Sequence, residues 1–405
     1  MDTKTVRLWT MPNAGFASES GISREIFAFR KLHPDIEILA EIVPWLKAWD
    51  RLMVAIKKQR GPDVIQIGNT WTTTCNFLGG LRSFAGVDME LEKRSFLLQV
   101  LSTCRHNDRL CAVPWFMDIQ VVYWRKDIFR KVGLSESIFD TWESFRSGCH
   151  KLRKAGYIPI GIAGLKDPCL IQYIAPWIWS AGGNFLDTTD GRARASFADA
   201  NALKGLDFWF SLLAEEAIDP ADIELDRGTI SERFFMRDKH AIHICGTWPL
   251  SDPSLSEATR FSRHFDVSLL PQGPAGRFVF IGGSNLAITS FSDVTQEAML
   301  VLEHLLSSES LIRYTRAVGM IPPTIPEQRL WAIQVGETGE KVISFLRSGR
   351  SLPAHSLWGS MEMVLVEHIA KILSYIRLGT YTRTRMEEEM SIASREVNEL
   401  LVSIA

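Results

Sequence analysis

An acid set just behind two aromatic rings is the most chemically pointed feature of this sequence. In Ala112 to Phe129, AVPWFMDIQVVYWRKDIF, Asp118 follows Trp115 and Phe116 with Met117 between. A carboxylate there can accept hydrogen bonds from hydroxyl groups while ring faces cover C–H surface. The same arrangement suits a strand-end Asp that caps a turn, or a chain passing between two lobes. Three further groups share this context, each beside a short apolar run. Asn69 and Trp71 come after VIQI, Trp248 comes after AIHIC, and Gly282-Gly283-Ser284-Asn285 precedes LAI. Paired glycines let backbone N–H groups approach a ligand closely, although such a pair before a strand is more often only a turn.

Composition excludes several other chemistries. Lys and Arg number 45 against 47 Asp and Glu, and no segment concentrates positive charge, so the footprint of a nucleic-acid binder is absent. Cys75, Cys104, Cys111, Cys149, Cys169 and Cys245 form no CxxC pair or metal-ligand ladder, which argues against zinc. They are scattered buried thiols or include one or two bridges. His240, His243 and Cys245 could put two ligands on one strand face, but packing in a buried strand is the simpler reading. There is no GxSxG elbow and no P-loop. Neither a metal nor a cofactor is expected. The 13 tryptophans, against 6 tyrosines, suit a large core and equally a ligand with apolar faces. No apolar run reaches the roughly 18 residues of a membrane span. The opening MDTKTVRLWT is strand-like by Val6, so the chain reads as cytoplasmic or as a form whose leader has been removed.

These groups need a framework, and the periodicities supply one. A chain of 405 residues exceeds one ordinary core, so two domains are expected. Val6 to Trp9 reads as a strand, and Ile22, Ile26, Phe29 and Leu32 fall at helical spacing. Ile36 to Val43 is a second strand. Pro44 then opens a helix with Trp45, Trp49, Leu52 and Ile56 on one face, and Val64 to Ile67 is a third strand. Alternating strand and helix is the signature of an α/β layer. In the opening stretch, a strand ends near Met117-Asp118 and Ile119 to Trp124 resumes as another. Strands follow at Ile158 to Ile162, Ala241 to Ile244, Phe265 to Leu270 and Leu286 to Ile288, and helices dominate from Thr295 on. Ligands of open α/β sheets bind beyond the carboxyl ends of strands. Candidates drawn from such distant segments therefore imply one shared cleft.

The order of motifs carries a family resemblance. RKLHPDIEI, VPWLKAWDRL, GPDVIQIG, AVPWFMDIQVVYWRKDIF, FDTWESF, WSAGGNF, ICGTWP, LLPQGPAG, GGSNLAI and GMIPP occur in sequence along essentially the whole chain. The protein resembles the family 1 extracellular solute-binding proteins, the sugar-binding components of bacterial ABC importers. The resemblance implies a two-lobed periplasmic-binding-protein fold, each lobe a mainly parallel sheet flanked by helices, closing on a ligand like a hinged clam. It implies one lobe near residues 1–117 plus 266–316 and the other near 118–265 plus 317–405, with three crossings between them. It further implies a carbohydrate ligand, permease subunits of an ABC transporter as partners, a monomeric state, and a periplasmic or surface-anchored location.

By the same resemblance, Asp118 grips hydroxyls at the crossing and Trp248 stacks on sugar, an ordinary core Trp being the alternative. Gly282, Gly283 and Asn285 flank the ligand. Asn69 stands where some relatives carry an acid, beside Trp71. Trp115 and Phe116 line the cleft. Trp45 reaches it from its helix start, unless it packs in the core. Trp177 shares a face with Trp179 if that segment is extended, Asn13 offers a hydroxyl partner, and Arg316 lies at the cleft floor or in an ion pair. A glycoside-active enzyme is the main rival, but it needs two facing carboxylates, and only Asp118 is so placed. The run Glu387-Glu388-Glu389 lies on a solvated helix face. A polyamine or anion binder would need several acids or clustered bases in these loops.

Overall fold

The structure is a computed structural model that describes residues 3–13, 16–84, 94–106, 109–162, 164, 165, 167, 170–189, 191–236, 238–251 and 261–403. Its ten principal strands are β1 (Lys4–Thr10), β2 (Ile36–Ile42), β3 (Val64–Gly68), β4 (Val113–Ile119), β5 (Val121–Arg125), β6 (Ile158–Gly161), β7 (His240–Cys245), β8 (Phe265–Ser268), β9 (Val279–Ile288) and β10 (Gly349–Arg350). Five helices matter below: α1 (Phe16–Leu32), α2 (Trp45–Lys58), α3 (Leu170–Ser180), α4 (Ser308–Val318) and α5 (Trp358–Arg377).

Two sheets hold two cores. In the first, the order is β10-β9-β3-β1-β2, with β4 also paired to β9. β1 runs parallel to β2 and β3, while β9 is antiparallel to both β3 and β4. Val6, Leu8, Ile65 and Ile67 pack from this sheet against Ile22 and Phe29 of α1 and Leu52 and Ile56 of α2. The second sheet runs β8-β5-β7-β6. Each lobe was expected to be mainly parallel. In the second, only β7 and β6 run parallel, and β5 is antiparallel to both its neighbours. The chain leaves the first sheet at the end of β4 and enters the second as β5 after a single intervening residue, and a chain arriving from a neighbouring sheet need not obey the parallel crossover rule.

The opening stretch is that crossing. Its first strand runs on to Ile119, so the break falls at Gln120 rather than at Met117-Asp118. The Gln120 N–H donates to Phe280 O of β9 at 3.0 Å, which pins the crossing beside that strand. β8 pairs with β5 through Phe265 to Ser268, so a first-lobe segment beginning at 266 starts too early. The last crossing falls near Ile321, whose N–H and C=O exchange bonds with Met117. Trp331, Val342 and Phe345 beyond it belong to the second core.

Candidate functional site

Parallel strands deliver three loops to one edge of the first sheet. β1 ends at Thr10, β2 at Ile42 and β3 at Gly68, so Asn13, Trp45 and Asn69 with Trp71 all lie just past strand carboxyl ends. On α2, Ala48, Leu52, Ala55 and Ile56 form the buried stripe, while Trp45 and Trp49 stay half-buried at the helix start. Trp71 meets both edge-on, with ring centroids 5.7 Å from Trp45 and 5.3 Å from Trp49. The Trp45 indole N–H donates to Pro12 O at 2.7 Å, which holds its plane against the first loop.

Helix α5 of the second lobe completes this group. Gly359 lies so close to Trp49 that a Cβ there would stand 2.3 Å from the ring. One turn on, the Glu362 carboxylate takes the Trp71 indole N–H. Burial pushes the Glu362 carboxyl up to about 7, and the Trp71 bond offsets this only in part. An acid that titrates near neutrality thus touches first-lobe aromatic rings from the opposite lobe.

Asp118 anchors the other end. It is half-buried on β4, and its Oδ1 accepts the Thr247 N–H at 2.9 Å from the loop after β7. The Thr247 hydroxyl donates to Gly319 O at 2.9 Å, just past α4. Burial raises the Asp118 carboxyl, against the pull of the Thr247 N–H and the nearby charge of Arg227. Arg227 is itself held by Asp167 at 2.9 and 2.8 Å. Trp248, next in the chain, is half-buried and packs against both cores. Asn69 connects the two ends. Its N–H donates to Gly283 O at 3.1 Å, one strand from Met117 and Asp118, while its buried side-chain Nδ2 has no partner among the described residues. Such an unpartnered buried amide costs free energy unless a ligand or water satisfies it.

A profile for bacterial extracellular solute-binding proteins matches residues 14–311. The chain belongs to that family. Among its relatives is a binding protein of Brucella abortus, 22% identical over 306 residues, which are 75% of this chain and 72% of the relative. The diacetylchitobiose binding protein DasA of Streptomyces coelicolor is 23% identical over 289 residues, 70% of this chain and 65% of DasA. In three dimensions the chain superposes on maltose-bound MalE3 of T. maritima with a TM-score of 0.84 at 17% identity, covering 98% of this chain and 100% of the other. At that identity the likeness establishes the fold, the two-lobed one.

Several residues singled out from the sequence of this solute-binding protein lie elsewhere than expected. Trp115 is fully buried and stacks on Tyr314 at 4.3 Å, and Phe116 packs beside it in the first core. Trp177 sits on a helix, not an extended segment, and stacks on Trp209 at 4.7 Å within the second core. Asn285 is buried and donates to the hydroxyls of Thr72 and Thr103. Gly282 and Gly283 are not a loop before a strand. They lie inside β9, beside a register shift, where Gly283 has φ +136° and a Cβ would stand 2.2 Å from Phe116 O. The close approach there is strand to strand.

Asn13 is committed internally: its Nδ2 donates to the Tyr314 hydroxyl at 3.1 Å and its Oδ1 accepts from Gln66 at 3.3 Å. Arg316 is exposed on the last turn of α4. Cys75, Cys104, Cys111, Cys149 and Cys245 are buried free thiols, and Cys169 lies outside the described residues. Among the described residues no helix is long and apolar enough to cross a membrane.

Glu362, Trp49 and Thr247 complete the site and were not singled out for it from the sequence. Trp358, Glu362 and Leu365 fall at i, i+4 and i+7, so an acid interrupting an apolar helix face was the available signal for the first.

Proposed function

We propose that this chain binds a neutral sugar or short oligosaccharide between its lobes and delivers it to the permease subunits of an ABC importer. The observation that carries this is the facing of half-buried first-lobe tryptophans by Glu362 of α5, with Asp118, Thr247 and Trp248 at the far end. Aromatic faces suit C–H surface, and Asn69, Glu362 and Asp118 suit hydroxyls. Binding would favour the closed arrangement because contacts from both lobes form only there. Relatives point the same way: DasA is named for diacetylchitobiose, another relative from Pseudomonas aeruginosa for mannitol, and the MalE3 structure holds maltose. The working place is the periplasm or the cell surface, as the family's extracellular description suggests, and the working state is a monomer.

The chain is read as a binder rather than a glycoside-active enzyme. Asp118 and Glu362 both have raised carboxyls, which a hydrolase would also want, but Asp118 is already engaged by the Thr247 N–H from the opposite lobe. Thermal-shift screening over neutral sugars, polyamines and anions tests the ligand class, since a ligand that binds only the folded state raises its stability by mass action. A sugar should raise the melting point, and incubation with oligosaccharides should release no product. A rise with polyamines alone, or chemical turnover, contradicts this reading.

A further inference from the structure

Beside β10 is a cavity of about 280 Å3 that shares no residue with the interlobe group. Its lining includes Trp179, Asn184, Phe185, Thr188, Arg350 and His355. Arg350 pairs in parallel register with Phe280 of β9, the strand that receives the Gln120 N–H at the lobe crossing. Its guanidinium lies 5.3 Å from the Trp179 ring and 5.8 Å from the Phe278 ring, and it donates to Asn184 Oδ1. Several other arginines of the fold are paired with acids, while Arg277 and Arg82 donate to backbone carbonyls instead. Arg125 is paired with Asp127, Arg146 with Glu215, Arg227 with Asp167 and Arg313 with Glu25. Among the described residues no carboxylate is paired with Arg350. Asp187, which adjoins the lining in sequence, is turned to Arg194 at 2.9 Å and accepts the Thr189 N–H.

A half-buried guanidinium set over two ring faces, with no acid paired to it among the described residues, presents a fork suited to an oxyanion. Burial, with no acid to oppose it, moves the Arg350 pKa downward, as expected for an uncompensated cation. His355 adds to the donor set. Its Nδ1 accepts the Leu357 N–H at 3.2 Å, so the neutral ring carries its proton on Nε2, and burial keeps the ring neutral by lowering its pKa. Thr188 contributes an exposed hydroxyl at the rim. The lining therefore offers a cation, an imidazole N–H and a hydroxyl, and no acid. The volume falls just below the range of roughly 300–1,000 Å3 typical of drug-sized ligands. We propose that this pocket is a second binding site, for one small oxyanion held by Arg350 between Trp179 and Phe278. Phosphate and small carboxylates share that chemistry. The proposal does not depend on which sugar the cleft takes.

Calorimetric titration separates the sources. Inorganic phosphate and sodium acetate are titrated separately, at ionic strength matched with chloride, into the wild type, Arg350→Gln and Thr188→Glu. At least one anion should saturate the wild type at one per chain, and each variant should weaken it by about ten-fold or more, the loss expected for a charge-assisted contact. Saturation by phosphate alone assigns a phosphoryl group, and by acetate alone a carboxylate. Thr188 is exposed, so its acidic variant keeps the fold and tests the site even if Arg350→Gln does not. The proposal is overturned if neither anion saturates the wild type, or if both folded variants bind as the wild type does.

Discussion

Each lobe holds a cluster of tryptophans, and the two clusters differ in how they are seated. In the first lobe, Trp45, Trp49 and Trp71 meet edge to face and stay half-buried. In the second, Trp142, Trp177 and Trp209 are buried with Phe145 and with half-buried Phe208, and Trp177 stacks on Trp209 with only 14° between planes. The second group fills a core: α3 is buried along almost its whole length, and Pro176 within it does not open the cluster to solvent. The first group stands past the ends of parallel strands, where the sheet stops and a cleft begins. Residue type is the same. Place relative to a strand end decides whether a ring packs or can meet a ligand.

That contrast can be broken by mutation, and the largest effect should come from the buried cluster. Trp177→Ala should cost about 3–5 kcal/mol of folding stability in urea titration, the usual loss for a large ring removed from a core. Trp71→Ala should cost much less stability but lower sugar affinity by about ten-fold or more, read by calorimetry. An equal stability loss in both variants would erase the distinction between the clusters.

Titration should sharpen it further. Glu362 is held near 7, above the 4.5 of an ordinary glutamate, wherever it is enclosed against Trp71. Its neutral form is therefore favoured in the enclosed state, and that contribution is present below about pH 4.5 and lost as pH rises through about 7. If opening the lobes rehydrates the carboxyl, sugar affinity should fall by about ten-fold between pH 6 and pH 8. Glu362→Gln should flatten that dependence. A wild-type affinity constant across this range would separate Glu362 from closure.

The smallest effect belongs to the second lobe and acts on stability instead of binding. Burial of His240 disfavours its charge, but bonds to Asp222 at 2.7 Å and Asp238 at 2.6 Å outweigh it, and the net shift is upward. Its stabilisation should be complete below about pH 6.5 and fade as pH rises through the folded value. Melting curves of His240→Gln against pH should be flatter than those of the wild type while sugar affinity keeps its pH profile.

Much of the fold was legible because strand and helix periods alternate cleanly from Val6 to Ile67 and the apolar residues fall on one face. The site was legible only in part. Asn69, Trp71 and Trp248 could be placed because they do follow strands, whereas Asp118 lies within β4, one residue before its end. Trp115 and Phe116 could not be placed, since a strand's alternation does not say which face meets the core when both faces are covered. Gly282 and Gly283 misled because a glycine pair inside a strand looks like a turn, and Trp177 because a helix containing Pro176 looks like an extended segment. Glu362 is separated by nearly three hundred residues from the ring it meets. No local pattern reports such a contact.

The most direct test is calorimetry of a panel of neutral sugars, including diacetylchitobiose, maltose and mannitol, against the wild type, Trp71→Ala and Trp177→Phe. The account predicts one-to-one saturation of the wild type by at least one sugar, a loss of about ten-fold or more in Trp71→Ala, and near-unchanged affinity in Trp177→Phe. Binding by Trp71→Ala as tight as the wild type, or no heat from any sugar, would contradict it.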